Sequence, residues 1–220
     1  MRELDQLLLN FNFNKSYKKD DFFVSESNFF AFNLLDTWPK WEKNVVNISG
    51  ERYSGKTHLS EIFLKKSKGI LIDSKKFQYD EEVNLRYYEN IILDNFDNNV
   101  DEKSIFTLIN FVDQNNKYLL INSIRPINEI NFKLKDLVSR LKNCISAKIE
   151  KPDDALIKVL ISKSLSDRQV TIDAKLIEYT CKRITRSYGK IFEFIYKIDE
   201  MSLKKKKSID LKTIKYALEV

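Results

Sequence analysis

Eight consecutive residues, Gly50-Glu51-Arg52-Tyr53-Ser54-Gly55-Lys56-Thr57, fit the pattern G-x-x-x-x-G-K-[ST] at every fixed position, and they constrain the fold more than any other stretch. A short β-rich run, Asn44 to Ile48, precedes them. His58 to Lys66 follows, with Leu59, Ile62 and Phe63 at helical spacing. Strand, glycine loop and helix is the context this pattern requires. The glycines let the backbone wrap so that its N–H groups converge on anionic oxygens. The helix after the loop adds the positive end of its dipole. Lys56 would neutralise terminal phosphates, and the Thr57 hydroxyl would ligate Mg²⁺. The plain alternative is a chance glycine turn before a helix. With only four glycines in the chain, two of them here, the full pattern with both flanks favours a phosphate cradle.

The surrounding periodicity predicts an alternating order. Asn28 to Thr37 reads as a helix that Trp38-Pro39 ends. Strands are expected at 44–48, Gly69 to Asp73, Asn90 to Leu93, Tyr118 to Asn122 and Cys144 to Ile149. Helices are expected at Asp101 to Gln114 and Leu134 to Leu141. Near-continuous apolar strands between helices argue for a five-stranded parallel sheet covered on both faces. After Pro152 the pattern becomes helical throughout: Asp153 to Leu165, Asp173 to Ile184, Tyr188 to Leu203 and Asp210 to Leu218. The expected organisation is an N-terminal arm over 1–20, an α/β domain over 21–151 and a helical domain over 152–220.

Composition removes several function classes. A single histidine, His58, excludes a His-based zinc site or a Ser-His-Asp triad. His58 reads as a packing or capping residue of the loop helix. Cys144 and Cys181 are far apart and read as reduced thiols. No apolar run approaches the ~20 residues of a membrane span, and no signal peptide is evident, so no membrane partner and a cytoplasmic location are expected. The net charge of +6 comes from 38 basic against 32 acidic residues, which permits nucleic-acid contact without demonstrating it.

A second acidic element completes a phosphate site. Ile91-Ile92-Leu93-Asp94 ends a strand in a carboxylate that would hold Mg²⁺, directly or through water. The next residue, Asn95, cannot serve as a base, so intrinsic hydrolysis is expected to be weak; Asp97 is the substitute if geometry allows.

Five segments, in their order along the chain, resemble the DnaA-related AAA+ proteins. They are Asp21-Phe22-Phe23-Val24-Ser25-Glu26-Ser27-Asn28, Gly55-Lys56-Thr57-His58-Leu59, Leu119 to Pro126, Leu137-Val138-Ser139-Arg140-Leu141, and Ile184 to Lys190. The resemblance covers almost the whole chain and is nearest to the Hda-like regulatory inactivators of the replication initiator. It implies an α/β AAA+ P-loop NTPase core followed by a small all-α lid, with ADP or ATP and Mg²⁺ as ligands. By the same resemblance Phe23, Val24 and Asn28 hold adenine, while Gly50, Tyr53, Ser54, Gly55, Lys56, Thr57 and His58 surround the phosphates. Asn122 and Ser123 form sensor 1, and Arg140 is an arginine finger acting in trans. Arg140 has an alternative, a pair with Asp136 across one helical turn. At sensor 2 the family's arginine falls on Gly189, so Arg186 or Lys190 would reach the phosphates from a neighbouring turn, the alternative being that either is a solvated lid charge.

The arm carries Gln6-Leu7-Leu8-Leu9-Asn10-Phe11, which resembles a sliding-clamp-binding hexapeptide. In an extended strand Leu7, Leu9 and Phe11 share one side and Gln6 adds polar contacts; the alternative is an arm folded back on its own core. The run Lys204–Lys207 reads as a solvated helix end, with weak duplex contact as the second reading. The chain stops just after the lid, where an initiator would be expected to continue into a DNA-binding domain. The implied function is regulation of replication initiation: docking on the clamp and promoting hydrolysis of DnaA-bound ATP. The initiator is then a partner and a homodimer is possible. The alternatives are a helicase-loader-type ATPase and a non-hydrolysing adaptor.

Overall fold

The computed structural model describes residues 21–79, 85–205 and 209–218. The clamp-like segment with Gln6, Leu7, Leu9 and Phe11 lies outside them. Five strands, β1 (Val45–Ser49), β2 (Gly69–Asp73), β3 (Asn90–Phe96), β4 (Tyr118–Ser123) and β5 (Ile145–Lys148), form one sheet in the order β2-β3-β4-β1-β5. Every neighbouring pair is parallel. Helices α1 (Phe29–Asp36), α2 (Lys56–Lys66), α3 (Glu102–Gln114) and α4 (Lys135–Lys142) belong to this part of the chain.

The period-two alternation of the strands divides their side chains between two cores. Val45, Ile91, Leu93, Leu119 and Ile121 pack with Ile105, Leu108 and Val112 of α3 and Leu137 and Leu141 of α4. Val46, Ile48, Ile92 and Leu120 pack with Ala31 and Leu35 of α1 and Leu59 and Phe63 of α2. Burial on both faces explains why these strands read as continuous apolar runs.

Several buried polar residues interrupt that pattern, Asn47 and Asn122 among them. Asn47 of β1 is fully buried. Its amide donates to Ile121 O and Ser123 Oγ, both at 2.9 Å, while its Oδ1 accepts the Ile127 N–H at 3.1 Å. A buried amide must find such partners. Here they fix the chain as it leaves β4, beside the site.

The helical part comprises α5 (Asp154–Asp167), α6 (Ala174–Cys181), α7 (Tyr188–Lys205) and α8 (Leu211–Leu218). It has its own core, including Ile157, Ile161, Leu165, Phe194, Ile198 and Ile214. Four expected helices began at aspartates, and those aspartates are the residues just before each helix. Asp101, Asp153, Asp173 and Asp210 accept backbone N–H groups of the first turn at 2.7–3.1 Å. Non-helical Asp at such a position is the preferred N-cap. α6 ends at Cys181 rather than Ile184, and β3 runs on to Phe96.

Candidate functional site: a P-loop between two cavities

The loop between β1 and α2 turns on Gly55, which precedes α2 with φ +94°. A side chain there would be strained, and its Cβ would stand 3.1 Å from the Phe22 ring. The N-terminal end of a helix after such a turn is a general anion-binding feature. Lys56 is folded back onto the loop. Its Nζ donates to Gly50 O at 2.7 Å and Glu51 O at 2.9 Å. Burial lowers the Lys56 pKa from 10.5 to about 8, against the opposing pull of Asp94 and Glu51.

Asp94 sits at the carboxyl end of β3 and is buried. Its Oδ2 accepts the Thr57 hydroxyl at 2.9 Å and its Oδ1 accepts the Asn122 amide at 3.1 Å. Asn122 also donates to Ser60 Oγ at 2.7 Å, and its own Oδ1, though buried, has no protein partner. Sequence reading placed Asn122 and Ser123 together as phosphate contacts. Both line the cavity over the loop, and the Ser123 hydroxyl also donates to Arg125 O at 2.6 Å and accepts from Asn47, which ties the backbone there. The Thr57 hydroxyl and Asp94 carboxylate are hard oxygen donors at one point. Mg²⁺ takes one or two such protein ligands with phosphate oxygens and water, so these residues fit the ion.

After Asp94 the β3–β4 register shifts, and Asn95 takes φ 59°, a conformation in which Asn is enriched. Its amide donates to Asp73 Oδ2 at 3.2 Å. Asp97 pairs with Lys75 at 3.0 Å. Burial alone would raise the Asp97 pKa; hydrogen bonds from Asn99 and Lys75 outweigh it and hold the carboxylate below its usual range.

Two cavities flank the loop. One, of about 630 Å³, is lined by Arg52 to His58, by 94–97 of β3 and its exit, by 122–124, and by Phe192 of α7. The other, of about 250 Å³, is lined by Phe22, Phe23, Asn28, Leu156, Val159, Leu160, Lys163 and Tyr188. They share Tyr53, Ser54, Gly55 and His58. The second mixes the apolar side chains of Phe22, Phe23, Leu156, Val159 and Leu160 with the polar or charged Asp21, Lys163, Ser164 and Asp167. Phe22 meets His58 edge-on, with centroids 5.3 Å apart, so His58 packs as expected. Asn28 is buried and structural: it accepts the Ser25 N–H at 2.9 Å and donates to Phe23 O at 3.0 Å, holding the turn that presents both phenylalanines. Val24 lines neither cavity.

The two lid cations stand as exposed surface charges, the second of the two expected readings. Arg186 pairs with Asp154 at 2.6 Å and Lys190 with Glu193 at 2.8 Å, and neither lines the cavity over the loop. Each is an exposed cation satisfied by a nearer carboxylate. Arg140 is half exposed on α4 and pairs with Asp113 of α3 at 3.1 Å, not with Asp136, the partner in the alternative reading. Arg140 lies outside both cavities. The lid wall of the second cavity was missed in the sequence. Leu156, Val159 and Leu160 do recur at helical spacing, but spacing alone cannot say which face of α5 meets a cavity. α7 ends at Lys205, and the side chains of the run 204–207 lie outside what is described.

The parallel β2-β3-β4-β1-β5 sheet, the strand–loop–helix turn and the four-helix appendage together form the AAA+ P-loop fold. No protein-family model matches the chain. Over 118 residues, 54% of the chain, it is 28% identical to the chromosomal replication initiator protein DnaA of Chlorobaculum tepidum. That match spans about a quarter of the initiator's length (24%). Domain III of the Thermotoga maritima replication initiation protein DnaA superposes with a TM-score of 0.76 at 20% identity, covering 94% of this chain and 97% of that one. AMPPCP-bound DnaA from Aquifex aeolicus gives 0.67 at 20% identity over 88% of this chain and 69% of that one. A RuvB mutant of Thermotoga maritima gives 0.69 at 15% identity, over 90% and 70%. The sequence match and the fold are both similar to those of DnaA-related AAA+ proteins. No helix among the described residues is long and apolar enough to cross a membrane.

Proposed function

We propose that this chain binds ADP or ATP with Mg²⁺ and acts as an Hda-like regulator of replication initiation. In this reading it promotes hydrolysis of the ATP held by a DnaA-type initiator while docked on the sliding clamp. The base lies in the smaller cavity beside Phe22 and Phe23 and the phosphates lie along Gly50–Thr57. Lys56 exchanges two loop carbonyls for phosphate oxygens. Thr57 and Asp94 hold the ion, which when bound neutralises phosphate charge. Asn122 fixes the Asp94 carboxylate through its amide.

The observation that carries an outward action is Arg140. It stands half exposed, away from both cavities, in a surface ion pair of the kind worth about 1 kcal/mol or less, so it can leave Asp113 for a neighbour's phosphate. The chain's own site is poorly equipped for turnover, because Asn95, which cannot act as a base, follows Asp94. The same feature favours a second reading, a nucleotide-bound adaptor without catalytic effect on a partner.

The decisive assay measures ATP hydrolysis by the initiator with clamp on DNA, with and without this chain. Arg140→Ala is expected to lose most of the stimulation, since such fingers are worth roughly 10³–10⁵ in rate. Full stimulation by that variant would sink the finger role, and no stimulation by wild type would favour the adaptor. The clamp role is read in the same experiment: Gln6→Ala and Leu9→Ala should both abolish capture by clamp.

A further inference from the structure

Glu51 occupies the second position of the glycine loop, where the pattern leaves the side chain open. It lines neither cavity. One carboxylate oxygen accepts the backbone N–H of Tyr188 at 3.1 Å, and the other accepts the Ser187 hydroxyl. Tyr188 is the first residue of α7, so Glu51 caps that helix from an element far away in sequence. A carboxylate there satisfies an orphan amide and complements the positive helix end. The Gly189 Cα lies against the same group: an added Cβ would sit 3.7 Å from Glu51 Oε1. One turn along, Phe192 stacks on Tyr53 with centroids 4.4 Å apart and planes 5° from parallel. The loop therefore grips α7 at two points, neither of which involves a phosphate.

The grip bears on the site because Tyr188 is itself a wall of the smaller cavity. Its ring is buried and its hydroxyl donates to Glu150 O at 3.1 Å. Whatever sets the start of α7 sets that wall. Arg186 and Lys190, the lid cations that would otherwise couple α7 to a phosphate, are paired with Asp154 and Glu193.

We propose that Glu51 is a positioning residue of the nucleotide site: by capping α7 it assembles the lid wall of the base cavity before any ligand arrives. Lid placement is then independent of the terminal phosphate. This rests on the reading that the loop binds a nucleotide.

The test uses the full chain as wild type, Glu51→Ala and Glu51→Gln. Dissociation constants are measured for fluorescently labelled ADP and AMPPCP, and for adenosine by competition. Amide hydrogen exchange is followed over the first turn of α7 in the nucleotide-free protein. Glu51→Ala is expected to weaken all three ligands by a common factor of about ten and to speed that exchange about tenfold. Glu51→Gln, whose amide oxygen still accepts the N–H, should return to within about threefold of wild type. In wild type the exchange should be the same with ADP and with AMPPCP. Unchanged exchange and adenosine affinity in Glu51→Ala would overturn the proposal. So would a loss confined to AMPPCP, which would put Glu51 on the phosphate. If the wild type binds no nucleotide, the proposal falls with the reading it rests on. The nucleotide-free exchange would still show whether Glu51 holds α7, so the two failures are distinguishable.

Discussion

Lys56 holds an ammonium group in a largely desolvated position, and its pKa of about 8 makes two opposite predictions. Anionic phosphates bind the protonated form and raise its pKa. Nucleotide affinity should therefore be level below pH 8 and fall as pH rises above it, with net proton uptake on binding. Calorimetry in buffers of different ionisation enthalpy measures that uptake directly. Stability of the nucleotide-free protein has the other sign. Between about pH 8 and 10.5 the unfolded chain carries the proton and the folded chain does not, so this residue makes stability rise with pH over that window. A flat affinity profile from pH 7 to 9.5 would show that Lys56 keeps its proton throughout. The residue scale also explains Asn47 and Asn122, both fully buried and polar. A sequence pattern marks them only as breaks in an apolar run; their hydrogen bonds show one fixing the exit of β4 and the other holding Asp94.

At the scale of elements, the aspartate caps do more than start helices. Asp153 accepts the Leu156 N–H at 2.9 Å and also the Ser27 N–H at 3.3 Å, so it joins α5 to the turn that presents Phe22 and Phe23. Asp153→Ala should cost about 1 kcal/mol and lower the melting temperature by roughly 2–4 °C. Thermal unfolding followed by circular dichroism checks this; an unchanged midpoint would remove the cap from the account. Burial alone would raise the Asp153 pKa, and hydrogen bonds from Ser25, Leu156 and Ser27 outweigh it. Its stabilisation is therefore fully present at neutral pH and is lost as pH falls through the lowered native value. The irregularity in β3 works at the same scale. By letting Asn95 take a positive φ, it leaves Asp94 buried toward Thr57 while Asn95 turns out to Asp73.

On the scale of the whole molecule, two cores share a seam. Leu160 packs against both the lid core and the sheet core on the α1–α2 side, and Leu156 and Tyr188 belong to the latter while lining the smaller cavity. A loosened lid core should therefore reach the ligand site. Ile161 is fully buried in the lid, and Ile161→Ala should cost about 2–5 kcal/mol through the cavity it leaves. Nucleotide affinity should fall with it, and ligand at about 100 times Kd should return roughly 2.7 kcal/mol of stability. Denaturant titrations with and without ADP read both effects. Undiminished affinity in that variant would mean that the lid core and the smaller cavity are uncoupled.

The order of strands and helices, the phosphate cradle and the acidic end of β3 were legible in the residues. Each is a local signal: apolar period, glycine punctuation, or a fixed motif spacing. The caps were legible too, one residue out of register, because an aspartate both precedes and begins a helical pattern. The outcome at the lid was not legible. Sequence brought Arg186 and Lys190 to the right neighbourhood, but which anion each cation meets depends on side chains distant in sequence, and nearer carboxylates took both. Arg140 chose Asp113 over Asp136 for the same reason. Glu51 shows the limit most clearly. Its position in the phosphate motif was plain from the start, yet only the packing of α7 across the loop, 137 residues further along the chain, made it the cap of a lid helix.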